Sequence, residues 1–186
     1  MAISKITSSG LAGDKYNVMT AGNNYYEPLA STLLSTATAS ITFTNIPQGY
    51  KHLQIRGIIA NSTGLAGFAM TFNGDTSANY NWHYMQGNGA TTASGGTIAT
   101  TSITGALGTN TTNIFGGSVT DILDYSNTNK YKTAKIFHGY DANGSGYIQM
   151  NSGSWMSTAA ITSITMTCGS GNFTTYTRLS LYGLKG

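Results

Sequence analysis

Charge is the scarcest commodity in this 186-residue sequence: Asp, Glu, Lys and Arg together make up 8% of it, with a formal net charge of +3. Typical soluble domains carry about 25%. Repulsion between copies is therefore weak, which permits close assembly. The same scarcity removes the dense basic stripe with interleaved aromatics that nucleic-acid-binding proteins lay against phosphates, so no nucleic-acid partner is expected. Proline stops at two residues and cysteine at one, Cys168. A lone cysteine excludes an intrachain disulfide. Because it falls in phase with Ile164 and Met166, it reads as a small buried hydrophobe. No apolar run approaches the roughly 18 residues of a membrane helix, and Met1-Ala2-Ile3-Ser4-Lys5-Ile6 lacks the apolar stretch of a secretory signal. No membrane partner is expected, and synthesis and folding in a cytoplasm are. Helical periodicity is missing beyond a turn or two, and the lack of a fixed-period repeat excludes a solenoid.

What fills the chain is polar but uncharged. Ser, Thr, Asn and Gly occupy roughly half of it, while 40% is hydrophobic and 11% aromatic. Disordered chains combine high net charge with few aromatics, so this one folds, and its length suits one domain with a real core. Alternation is the dominant pattern. It runs through Ser40–Thr44 and through Lys51–Ile59, where Leu53, Ile55 and Ile59 oppose His52, Gln54 and Arg56. Phe68, Met70 and Phe72 repeat it, as do Tyr80, Trp82 and Tyr84. A period of two means one packed face and one wet face, the mark of antiparallel sheet. Later runs cover Val119–Tyr125, Tyr131–Tyr140, Tyr147–Met150, Ala160–Cys168 and Phe173–Leu184. Asn73-Gly74-Asp75, Asn88-Gly89 and Asn143-Gly144 supply the positive φ that tight turns need. About eight to ten short strands at spacings of roughly 8–12 residues predict a sandwich or barrel. The expected fold is all-β: an antiparallel jelly-roll-like β-sandwich over residues 25–186, preceded by an extended N-terminal arm over residues 1–24. Residues 87–112, rich in Gly, Ala, Thr and Asn, read as a long loop with a short strand around Ile98 or Ile103. Lys130, Lys132 and Lys135 read as a solvated strand edge that discourages pairing.

Chemistry-bearing residues are few and scattered. The six carboxylates are Asp14, Glu27, Asp75, Asp121, Asp124 and Asp141. Asp121 and Asp124, three apart, point to opposite faces of a strand, so they form no acid/base pair of the kind a glycosidase sets across a cleft. Turn and capping roles account for the aspartates. His52, His83 and His138 lack the close spacing of a zinc site and read as satisfied strand histidines. Asp141-Ala142-Asn143-Gly144-Ser145-Gly146 resembles the start of a calcium loop but lacks the later ligands and closing glutamate, so a hairpin turn explains it better. No Gly-x-Ser-x-Gly elbow is present, and no helix follows Gly87-Asn88-Gly89 or Gly116-Gly117 to make a phosphate cradle. No residue is assigned a catalytic, cofactor-binding or metal role, and no cofactor and no enzymatic activity are expected. Aromatics remain: Tyr25-Tyr26 and Tyr80-Asn81-Trp82-His83-Tyr84 are candidates for a glycan or protein contact, weighed against the simpler reading in which one face of Tyr80–Tyr84 is core.

Several of these segments together resemble a family of virion structural proteins of tailed bacteriophages. They are Tyr26-Glu27-Pro28-Leu29, Ser40-Ile41-Thr42-Phe43, Ile46-Pro47-Gln48-Gly49-Tyr50-Lys51-His52-Leu53-Gln54-Ile55-Arg56 and Phe72-Asn73-Gly74-Asp75. Asp124-Tyr125-Ser126-Asn127, Lys130-Tyr131-Lys132, Gly171-Asn172-Phe173 and Leu181-Tyr182-Gly183 continue the series. The resemblance spans residues 25–186. It implies a non-enzymatic β-sandwich displayed on the virion, as a capsid decoration (cement) protein or, alternatively, a tail-fibre or tail-tip module that binds a host receptor or glycan. Residues 1–22 resemble the polar lead of some phage appendage proteins. Decoration proteins commonly sit on local three-fold axes, so the resemblance implies a homotrimer whose partner is the major capsid protein or another virion protein.

Overall fold

The computed structural model describes residues 25–64 and 66–186. The arm assigned to residues 1–24 lies outside the described residues, and Asp14 with it. Twelve strands follow in order, more than the eight to ten expected. They are β1 (Tyr26–Leu33), β2 (Ser40–Phe43), β3 (His52–Ile59), β4 (Ala66–Phe72), β5 (Tyr80–Gly87) and β6 (Thr92–Thr100), then β7 (Ile103–Gly108), β8 (Gly116–Leu123), β9 (Lys132–Asp141), β10 (Gly146–Trp155), β11 (Ile164–Cys168) and β12 (Arg178–Leu184). The protein is all-β. An eight-stranded sheet runs β1-β12-β3-β8-β9-β10-β5-β6, and a four-stranded sheet runs β2-β11-β4-β7. Every pairing is antiparallel.

The two sheets form a β-sandwich around one core. Leu53, Ile55, Ile122, Ile136, Leu179 and Leu181 from the large sheet meet Phe43, Phe68, Met70, Phe72, Ile164 and Met166 from the small one, all buried. Alternation in the sequence produces this directly, since successive side chains on a strand point to opposite faces. Where the sheets approach most closely, each accepts an isoleucine over a glycine. A Cβ on Gly153 of β10 would stand 2.5 Å from Ile103 Cγ2 of β7, and one on Gly105 of β7 would stand 2.5 Å from Ile136 Cδ1 of β9. Cys168 is a buried part of the core with its thiol directed to Ser170 O.

Three expectations need correction. Residues 87–112 are not a loop: they hold β6 and β7. Glycine hid β6, because Gly95 and Gly96 break the alternation. The rings of Tyr84 and His83 on β5 lie over these glycines, at distances where a Cβ would stand 2.8 Å and 2.4 Å from ring carbons, and so supply the packing that glycine lacks. The lysine run is no edge either, since β9 is flanked by β8 and β10. Lys132 is 1% exposed, with Nζ donating to the carbonyls of Asn127, Lys130 and Thr158 at 2.6, 3.0 and 3.1 Å. A buried ammonium persists because three acceptors replace water. Only Lys135 stands on the exposed face of β9. The last two sequence runs also start late. Ile161 is buried ahead of β11, and Phe173 reaches the core through isolated bridges to Thr38 and Asn61 ahead of β12.

Candidate functional site

Turns absorb several of the chemistry-bearing residues. Asn73 and Gly74 both take positive φ (54° and 70°) after β4. The Asp75 carboxylate then accepts from Ser77 N at 2.9 Å, Asn79 Nδ2 at 3.0 Å and Trp155 Nε1 at 2.7 Å. Asn79 first, then Trp155 and Ser77, hold this carboxyl well below the usual range, since each donor favours the ionised form. Asp141 accepts from Asn143 N at 2.8 Å within the β9–β10 turn. Asp124 follows β8 with φ 47°, bonded by Lys130 and 3.3 Å from Lys51 Nζ. Lys130 is the main cause of its lowered pKa. Asp121 instead lies within β8, on the outer face, where Gln54 Nε2 donates to it at 2.7 Å. Asp124 lies past the end of β8, so the opposite-face reading of their spacing does not apply to the pair.

The histidines stay apart on three strands. His52 on β3 accepts from Asp124 N at 2.9 Å. His83 on β5 is exposed, and His138 on β9 is buried with Nε2 2.9 Å from Gln149 Oε1. Burial pushes His138 down to about 4. Among the described residues no three of His, Cys, Asp and Glu gather closely enough to hold a metal ion.

The aromatic candidates divide. Tyr80 is fully buried, stacks with Trp155 and bonds Phe72 and Asp75 through its hydroxyl; burial pushes its pKa up to about 12. Trp82 and Tyr84 share its inward face, so this run is core, with His83 and Met85 on the other face. Tyr25 and Tyr26 are exposed beside β12, and Arg56 lies 5.3 Å from the Tyr26 ring centroid and 5.4 Å from that of Tyr182.

The feature that sequence patterning missed is on the outer face of the eight-stranded sheet. Strand register places one row directly across it: Ser31, Ser180, Arg56, Val119, Phe137, Met150, Met85 and Ser94, one residue from each strand. The middle of this row is apolar where a wet face should be polar. Met85, Met150 and Phe137 are 62%, 55% and 50% exposed. In the next row Ile58 and Ile148 stand at either end of Gly117 and Gly139. The paired glycines leave a shallow depression between the isoleucines, walled by Val119, Phe137 and Tyr147. On the opposite side of the apolar row, Gln54, Asp121 and Lys135 form a polar border in register, with Arg56 Nε donating to Gln54 Oε1 at 2.7 Å. An exposed apolar patch bordered along one side by polar residues has the composition of a protein contact surface. The signal was in the sequence: Met85, Phe137, Ile148 and Met150 each break the polar phase of their strand. Only the register shows that they are neighbours.

No family model matches this chain, and no curated protein or solved structure is similar to it.

Proposed function

We propose that this protein is a non-enzymatic bacteriophage virion structural protein, a capsid decoration (cement) protein that stabilises the outer shell by docking on major capsid subunits. The observation that carries the reading is the apolar row of half-buried Val119 with exposed Phe137, Met150 and Met85 on the face turned away from the core. The resemblance of residues 25–186 to phage virion proteins supplies the class of partner.

Topology supports the same reading. Without β5–β6 and β9–β10, the remaining strands pair first with last: β1 with β12, β2 with β11, β3 with β8 and β4 with β7. A long antiparallel ribbon rolled into two facing sheets has this order. We read the fold as a jelly roll in which two inserted hairpins widen one sheet, and three strands of those hairpins, β5, β9 and β10, carry most of the apolar row. Mass action then provides the mechanism. A protein that binds the assembled shell and not its free subunits stabilises the shell, and many modest contacts on one lattice add through multivalency.

The test is add-back. Particles stripped of the protein are re-decorated with wild type or with Phe137→Asp and Met150→Glu variants, and genome release is followed on heating. Wild type should raise the release temperature; the two variants, which place a charge in the row without touching the core, should bind at least tenfold more weakly. Equal release temperatures for bare and decorated shells would remove the cementing role. If the protein is found only at the tail, the receptor- or glycan-binding reading takes its place.

A further inference from the structure

Among the described residues the two sheets have four edges, and three of them are guarded. On β1, Pro28 has no N–H to offer, the register shifts between Pro28 and Ala30, and Glu27 is 3.3 Å from Lys185. β2 is only four residues long. β7 lies against the large sheet through Gly105 and Ile103, and Asn151 Nδ2 donates to its Thr104 carbonyl at 2.9 Å. Short strands, proline, bulges, charge and coverage are the devices by which sheets avoid pairing with other chains.

β6 has only a bulge at one end. It is nine residues long, contains neither proline nor charge, and among the described residues is bonded to β5 on one side only. Its irregularity is confined to one end, where the register shifts between Tyr80 and Trp82 and Asn81 Oδ1 accepts from Ala99 N at 2.9 Å. Residues 92–97 keep unbroken register with β5. The strand also sits within residues 76–120, which contain no Asp, Glu, Lys or Arg. Ile98 on it is 74% exposed.

We infer that β6 is an association edge whose occupant is β6 of a second copy of this chain, paired antiparallel about a two-fold axis. Charge decides the occupant. An uncharged edge gives an acidic or basic partner nothing to recognise, whereas two-fold pairing sets residue i of one β6 against residue j of the other and j against i, and with no charge on the strand no like charges oppose it. The symmetry closes with two copies and leaves neither β6 edge open. Gly95 and Gly96 in the middle of the strand keep the seam clear of side chains, while Tyr84 and His83 already cover them from within each subunit. Pairing over this length makes about eight to ten backbone hydrogen bonds between the two strands. It joins two large sheets edge to edge and brings two apolar rows onto one surface. The inference does not depend on the decoration reading, and it replaces the three-fold expectation with a two-fold one.

The experiment is light scattering and sedimentation on the full chain from 1 to 100 µM (concentrations of about this range separate weak from stable dimers). A species of twice the 19.5 kDa chain mass is expected. Ser94→Lys and Ile98→Lys, both on exposed positions of β6, should together weaken dimerisation at least tenfold, whereas Ser31→Lys on the β1 edge should leave it unchanged. Hydrogen exchange on the unmodified protein gives a second readout: amides in residues 92–97 should gain protection as concentration rises. A monomer at 100 µM, a trimer, a dimer indifferent to the double substitution, or β6 amides whose exchange ignores concentration would each overturn the inference. If the lysine variants fail to fold, the exchange result decides.

Discussion

Lys132 and His138 show how a sheet can bury an ionisable group, and the two differ in what pH does to them. Burial, and then the neighbouring Lys130, lower the pKa of Lys132, while three carbonyls accept from its Nζ and favour the ammonium. Lys132→Met keeps the aliphatic stem but leaves those carbonyls without donors, which should cost about 3 kcal/mol. At roughly 2–4 °C per kcal/mol for a chain of this size, the melting temperature should fall by about 6–12 °C. His138 is held neutral: its pKa is about 4 in the fold against 6.5 as the ordinary value, with burial as the main cause. The unfolded chain therefore binds the proton first as pH falls. The stability this residue contributes is complete above pH 6.5 and is lost between 6.5 and about 4, by roughly 3 kcal/mol in all. Chemical denaturation from pH 8 to 3.5 should show that slope, and His138→Gln should flatten it. Asp75 acts lower. Its carboxyl is depressed from 3.8, so its contribution is present above that value and fails only in stronger acid.

Elements show what patterning can and cannot reveal. The core strands were legible because Leu53, Ile55, Phe68, Met70 and Phe72 alternate with polar residues, and a one-residue slip would turn that whole set to water. The turns at Asn73-Gly74 and Asn143-Gly144 were legible because only a few residues take positive φ cheaply. Two kinds of information were missing. A glycine strand such as β6 has no side-chain pattern to read, since its packing is borrowed from Tyr84 and His83. The outer apolar row was unreadable for a different reason: its members come from β5, β8, β9 and β10, and neighbourhood across strands depends on pairing partners that local sequence does not name. The fold class was therefore plain from the chain, whereas the candidate surface emerged only in three dimensions. Two substitutions test the borrowed packing and the close approach of the sheets. Tyr84→Ala should loosen β6, seen as at least tenfold faster exchange of its amides. Gly153→Ala should cost about 1–3 kcal/mol, although alanine ordinarily suits a strand better than glycine, because the added carbon meets Ile103 at a branch point that cannot swing away.

For the whole molecule, the scarcity of charge makes one physical demand on any assembly it joins. Contacts made through Val119, Phe137, Met150 and Met85 rest on apolar burial, and the screening length is about 3 Å at 1 M salt. Attachment to a particle should therefore survive molar salt, and sedimentation of decorated particles at low and high ionic strength checks it. Release by salt would mean that Arg56, Asp121 and Lys135 hold the protein, and that the apolar row does not.

Chain order adds a constraint of time. β12 lies between β1 and β3, and β11 between β2 and β4, so two strands synthesised after the other ten occupy the interior of both sheets. Until they arrive, β1 and β2 have no partner, and β3 and β4 each lack a neighbour. The half-made chain thus waits with open edges, and contacts that span most of the sequence must close last, which slows folding. Its poverty of charge removes one defence against sticking to other nascent chains during that wait. Chaperone supply and synthesis temperature, rather than final stability, should then set how much of this protein accumulates in folded form.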